Sequence, residues 1–321
     1  MQVKLFIFLL WIPLLSFSQI NDTVDRRPET DTFHYVPGAY VILDSIVIKA
    51  SKKGFDVADF IEMVRNDNTF YKAFKNLRFA TYDFTNDIAC FDKKNKVKAK
   101  YKSLARQDFD GKCRTMKILK LEENKNFFKR NGKPRYYTGK LYEKIFFTKG
   151  KICNEKRSET IDYNSKPKNK IDKYILELKK LIFNPGKKSD IPFIGDKTEI
   201  FSPGMSKYYN FHITHEKYKD SIPAYVFTAV IKPRFKNKPK KTVIKYIKTF
   251  FGKRDFQVLA REYHLMYKTL FYDFDVKMYI ELNKTNEIYY PEKIKYQGNW
   301  HIMFKKRERC TFDTEIFNFR N

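Results

Sequence analysis

The chain has 321 residues, of which 42% are hydrophobic and 17% aromatic, with 31 Phe and 22 Tyr. That supplies a core for one large or two modest domains and excludes wholesale disorder. The formal charge of +28 points to an anionic partner or a solvated basic surface, and a total of only 11 glycines disfavours glycine-rich phosphate loops.

Lys4 precedes an apolar run from Leu5 to Phe17, interrupted only by Pro13 and Ser16. Ser16-Phe17-Ser18 then places small residues three and one before a cut, so a processed chain would begin at Gln19. Residues 1–18 therefore read as a cleavable signal peptide. The run is shorter than the ~20 apolar residues that a spanning helix needs. No cysteine follows it before Cys90, which argues against a lipid-anchored amino terminus. No later segment is long and apolar enough to span a bilayer, so the expectation is a secreted protein, periplasmic or outer-membrane-associated.

Residues 19–38 form a polar leader, and 39–50 are apolar but ambiguous between helix and strand. Val57, Phe60, Ile61 and Val64 have helical spacing behind a candidate N-cap at Asp56. Phe70, Ala73, Phe74 and Leu77 repeat it behind Thr69. From Arg78 the period becomes two. Lys96, Lys98, Lys100 and Lys102 alternate with Val97, Ala99, Tyr101 and Ser103, as in a strand with one basic, wet face. Residues 112–121 and 135–147 read as further strands, with a hairpin-type turn at Asn131-Gly132. Residues 151–170 are a basic linker or long loop. The clearest helix carries Ile171, Tyr174, Ile175, Leu178, Leu181 and Ile182 on one stripe and stops at Pro185-Gly186.

Residues 187–206 are irregular, and an antiparallel meander follows. Its strands are expected near Tyr209–Ile213, 223–233, 242–250, 256–272 and 274–283. Residues 288–296 and 300–309 form a hairpin turning at Gly298-Asn299, and 311–319 closes the chain. In 274–283, Phe274, Val276, Met278, Ile280 and Leu282 alternate with polar residues, as when one sheet face is buried and the other solvated. The two β-rich stretches are open to being halves of one sheet. The segments are then 1–18 signal, 19–38 leader, 39–150 helices plus antiparallel strands, 151–170 linker, and 171–321 helix plus meander. A membrane barrel is disfavoured, because lysines occupy alternate positions that would face lipid.

The chemistry-bearing residues are few. Cys90, Cys113, Cys153 and Cys310 suit disulfides in an oxidising compartment, with three connectivities open. His212 and His215 would lie on opposite faces of a strand, which does not make a metal pair. Asp273 and Asp275 share a strand face and could serve as paired carboxylates, although Lys277 beside them favours a solvated surface. Lys232, Arg234, Lys236, Lys238, Lys240 and Lys241 form an acid-free run suited to phosphate-bearing head groups or to a solvated loop. Lys305, Lys306, Arg307 and Arg309 make a second cluster with the same two readings. No nucleophile motif is present, and no cofactor or nucleic acid is expected.

Phe70-Tyr71-x-x-Phe74, the stretch Tyr209 to Phe319, and Thr242-Val-Ile-Lys-Tyr-Ile followed by Phe256-Gln-Val-Leu-Ala-Arg resemble envelope proteins of Gram-negative bacteria. Among these are the half-barrel carriers that sort outer-membrane lipoproteins. The resemblance implies a binding or scaffolding role. The expected fold is α+β: a short helical amino-terminal section, then a large curved antiparallel sheet, half-barrel-like, packed on a helix, with Ile171–Ile182 as that helix. The expected function is non-enzymatic binding of a hydrophobic or anionic envelope component, with lipid, glycolipid or an envelope protein as partner. The alternatives are a structural, protein-interaction component of the envelope and, third, a hydrolase whose site assembles from distant residues.

Overall fold

A computed structural model describes residues 33–36, 39–43, 57–124, 127–156, 195–238, 240–270, 272–302 and 306–320. The expected signal peptide, most of the linker and the Ile171–Ile182 helix lie outside the described residues. Alternating apolar and polar positions fold into thirteen strands. They are β1 (Phe33–Val36), β2 (Ala39–Leu43), β3 (Thr81–Phe91), β4 (Val97–Phe109), β5 (Cys113–Glu123), β6 (Ile152–Cys153) and β7 (Tyr209–Tyr218). Then come β8 (Ile222–Ile231), β9 (Ile244–Gly252), β10 (Val258–Lys268), β11 (Tyr272–Thr285), β12 (Ile288–Ile302) and β13 (Glu308–Arg320). The helices with more than one turn are α1 (Val57–Asn66), α2 (Thr69–Asn76) and α3 (Tyr137–Phe146).

One sheet holds every strand, in the order β1-β2-β7-β8-β9-β10-β11-β12-β13-β3-β4-β5-β6. It is open, ending at β1 and β6, and antiparallel except where β2 runs parallel to β7. The two β-rich stretches become one sheet because the last strand, β13, returns to pair with β3. A single cross-strand row shows how the pattern builds the core. Tyr101, Ile88, Phe312, Tyr296, Met278, Tyr263, Ile247, Ala229 and Phe211 stand opposite one another in turn across neighbouring strands, and all are buried. Such cross-strand pairs are the unit of sheet stabilisation.

Helices α2 and α3 cover this inner face. Phe74 meets Phe146, and Tyr142 and Phe146 both pack on Phe312. From α1, Phe60 packs edge-on against Phe251 and Tyr225. The neighbouring row carries polar groups that satisfy one another inside the core. Asn86 donates to Ser103 Oγ at 3.0 Å, and Thr314 donates to Asn86 Oδ1 at 3.1 Å. Buried polar atoms need such partners.

Two disulfides join strands at directly opposed positions. Cys90 of β3 bonds Cys310 of β13, and Cys113 of β5 bonds Cys153 of β6. The second bond holds the first residues of the expected linker at the edge of the sheet.

Three expectations need correction. Within residues 135–147, Tyr137–Phe146 form the helix α3 and not a strand, because Thr138, Leu141, Tyr142 and Phe146 are buried at helical spacing. The Tyr and Phe content favours strands only where the pleat suits it. Gly298 does not turn the chain, since β12 runs unbroken through it. The Tyr296 side chain lies over Gly298, and a Cβ there would come within 2.0 Å of its hydroxyl. The hairpin connection falls after Ile302 instead. Thr69 is the first residue of α2 and makes no cap of its own; Asp67 Oδ1 accepts from its N–H at 3.1 Å and its hydroxyl at 2.6 Å.

Candidate functional site: a basic end of the sheet

In an antiparallel meander, successive connections alternate between the two ends of the sheet. The pairing of β13 with β3 continues that alternation into the amino-terminal strands. The β3–β4, β8–β9, β10–β11 and β12–β13 connections therefore share one end. Exposed there are Lys93, Lys94 and Lys96 in the first, Arg234, Lys236, Lys238, Lys240 and Lys241 in the second, and Lys306 and Arg307 in the last. Leu270 of the β10–β11 connection is 91% exposed among them.

The β8–β9 loop is held by its own backbone. Phe235 N donates to Lys232 O at 2.9 Å, Lys238 N to Phe235 O at 2.9 Å and Lys241 N to Lys238 O at 3.0 Å. The Phe235 ring packs edge-on against Tyr208 at 4.8 Å, and the Arg234 guanidinium lies 4.7 Å from its centre. Among the described residues, Arg234, Lys236, Lys238, Lys240 and Lys241 make no ion pair. No acidic residue occurs between Asp220 and Asp255.

The outer sheet face contrasts with this end. Several of its cations are matched across strands: Lys100 with Glu122 at 2.9 Å, Lys248 with Glu216 at 3.0 Å, Lys293 with Glu315 at 2.9 Å and Arg106 with Asp83 at 2.6 Å. Those four cations are already neutralised. Among the described residues, the cations of the loop are not.

Lys232 stands apart from the other residues of the acid-free run. It is only 8% exposed, and burial together with the Arg234 charge lowers its pKa. Lys245 sits where the β9–β10 register slips, and its Nζ donates to Thr242 O at 2.7 Å and Oγ1 at 3.1 Å. Burial pushes the Lys245 ammonium down to about 8 from 10.5. Between those two pKa values the unfolded chain binds a proton that the folded chain does not, so this group adds stability as pH rises. We expect wild type to gain about 1–3 kcal/mol relative to Lys245→Met between pH 7 and 10.5. Urea midpoints at the two pH values measure this, and a pH-independent difference would refute it.

The remaining sequence candidates disperse. Asp273 is clamped by Arg307, with two contacts of 2.6 Å, and His301 lies 3.5 Å away. Asp275 pairs instead with His264 at 2.8 Å. Both carboxylates thus belong to the charge ladder of the outer face, and Arg307 of the second basic cluster is already engaged. His212 stands opposite Thr228 and His215 opposite Tyr225, on alternate faces of β7. Lys305 lies outside the described residues.

Two of the clefts among the described residues bear on ligand binding. The larger, about 140 Å³, is polar and lies between Arg78, Phe109, Arg114 and Glu155. Glu155 already answers both arginines, at 3.1 Å and 2.5 Å. Burial alone would raise the Glu155 pKa, but the Arg114 hydrogen bond and charge outweigh it and hold the carboxylate below its usual range. The smaller, about 30 Å³, is apolar and lies between Tyr101, Phe127, Phe128 and Tyr142. Both fall short of the ~300–1,000 Å³ typical of a ligand pocket.

Sequence reading found the loop cations but missed that four connections converge on one end. The signal lay in the strand count. Hairpin parity assigns every turn to an end once the β3–β13 pairing is known.

Fold and site define an α+β protein with one open, almost wholly antiparallel sheet, helices on its inner face and a basic end. Among the described residues no helix is long and apolar enough to cross a membrane. No family model matches the chain, and no curated protein matches it. Among solved structures it is similar to a LolA superfamily protein from Nitrosomonas europaea, with 8% identity, TM-score 0.22, and 78% of this chain and 91% of that one covered. It is similar to a DUF1329 family protein from Desulfovibrio piger, with 11% identity, TM-score 0.23 and coverage of 78% and 91%. A domain assigned to outer membrane lipoprotein sorting, from Vibrio parahaemolyticus, shows 8% identity, TM-score 0.22 and coverage of 78% and 92%. The fold described above rests on its own strand order.

Proposed function

We propose that this is an exported, non-enzymatic protein that binds an anionic component of the cell envelope at the basic end of its sheet. The observation that carries the reading is the run of five loop cations that, among the described residues, make no ion pair, beside an outer face where Lys100, Arg106, Lys248 and Lys293 meet carboxylates across strands. Cations without carboxylate partners are free to meet phosphate-bearing head groups, and the loop's turns hold them ready. Each lysine or arginine near such a surface contributes about 1 kcal/mol at moderate ionic strength.

The anionic half of this reading is better supported than the hydrophobic half. Among the described residues the inner face is filled by aromatic side chains, so an acyl chain would have to displace packed rings. The loop cations need nothing displaced.

Co-sedimentation of the processed chain with phosphatidylglycerol-containing vesicles tests the proposal. We expect binding that weakens as salt rises and is absent with phosphatidylcholine alone. Changing Arg234, Lys236, Lys238, Lys240 and Lys241 together to glutamine should weaken binding at least about 100-fold. Equal binding to both vesicle types, or no loss in the variant, would overturn it.

A further inference from the structure

The edge formed by β5 is unusual for this chain in three respects. First, it is open. β6 pairs only with Cys113 and Arg114, so among the described residues Thr115 to Glu123 present an unpaired row of backbone donors and acceptors. Second, it is apolar where it is open: Ile118, Leu119 and Leu121 are 46%, 49% and 46% exposed. Exposed edges template pairing with another chain, and proteins usually blunt them. Third, it is locally neutral. Within Thr115–Glu123, Lys117 and Lys120 are balanced by Glu122 and Glu123, in a chain of +28 overall.

The order of these residues makes the edge complementary to itself. β4 pairing places Lys117 and Glu122 on the outer face, opposite Arg106 and Lys102. Ile118 stands opposite Ala105 and Leu121 opposite Ser103, both on the inner face. The register slips between them, leaving Leu119 as the extra residue. Two copies laid antiparallel can then set Lys117 against Glu122, Ile118 against Leu121 and Leu119 against Lys120. Lys117 then meets the oppositely charged Glu122 on the outer face, Ile118 meets the apolar Leu121 on the inner face, and the extra residue Leu119 lies against the stem of Lys120. Directly opposed residues of an antiparallel pair share a face, as this register requires.

We infer that the chain forms a symmetric dimer by antiparallel pairing of β5 with β5 of a second copy, in this register. The two open sheets then join across a twofold axis, and both copies bury their apolar edges. A twofold interface brings the same patch from each copy, so every favourable pair occurs twice. Repulsion between the two basic bodies is screened beyond about 8 Å at physiological ionic strength. This inference stands apart from the anion-binding reading, because no residue of the basic end takes part.

Sedimentation equilibrium of the processed chain tests it, with thermal melts confirming that each variant folds. We expect a mass twice that of the monomer. Lys117→Glu or Glu122→Lys alone should weaken the dimer at least ten-fold, and the two together should restore it. An Ile118→Cys chain mixed with a Leu121→Cys chain should oxidise to a covalent dimer, whereas either alone should not. A monomer at every concentration overturns the inference. So does a dimer indifferent to the charge exchange, or cross-linking in a different pattern.

Discussion

Replacing Cys90 and Cys310 together by alanine should lower the unfolding free energy by about 5 kcal/mol, the largest loss expected for any pair in the protein. The two residues are separated by 220 positions, so the cross-link removes a long loop's worth of freedom from the unfolded chain. The Cys113–Cys153 bond closes a separation of 40 and should be worth about 4 kcal/mol by the same reasoning. Position adds to the difference. Both sulfurs of the first bond lie in the core, between β3 and β13, where the early and late strands meet. Urea midpoints of the two double variants under oxidising conditions measure the ranking. A larger loss from the Cys113/Cys153 pair would show that chain entropy does not set the order.

Asp67→Ala should cost about 3–5 kcal/mol, because it strips a buried arginine of its counter-charge. Asp67 and Arg261 meet at 3.1 Å with side chains only 6% and 4% exposed. Arg261 Nε also donates to Thr249 Oγ1 at 3.0 Å, and the guanidinium lies 4.5 Å from the centre of the Phe70 ring. Burial pulls the guanidinium below its usual pKa range, and Asp67 offsets part of that. The pair ties β10 to the α1–α2 turn, so the loss should loosen the helices from the inner face. Asp67→Ala combined with Arg261→Met should recover most of the stability, since no unpaired charge is then left buried. The recovery is partial, because Asp67 also accepts two hydrogen bonds from Thr69. Thermal melts of the single and double variants decide it; a double variant weaker than Asp67→Ala would reverse the assignment.

How much of this was legible in the chain depends on how local each cause is. The β11 alternation from Phe274 to Leu282, the basic face of Lys98, Lys100 and Lys102, and the apolar stripe of α2 all follow from side-chain period alone. They appear in the structure as the sequence implies. The loop cations could likewise be named from the chain, since an acid-free run needs no partner to define it.

Where a residue's role depends on something distant, sequence reading failed. The first turn of α3 is capped by Glu308, whose carboxylate accepts from Tyr137 N at 2.6 Å and Thr138 N at 2.7 Å across 171 and 170 positions. A helix with no local cap and a Tyr-rich sequence looks like a strand until β13 supplies that carboxylate. Gly298 looks like a turn until the Tyr296 ring is seen to need its space.

The sequence by itself determined the long strands of the meander, their buried faces and the excess of cations, because period and composition act over a few residues. Only the tertiary structure decided that β13 would pair with β3, which cysteines would bond, which end of the sheet would collect the basic loops, and which edge would stay open. Those outcomes depend on strand order, and hydrogen bonding between strands is blind to how far apart in the chain they lie.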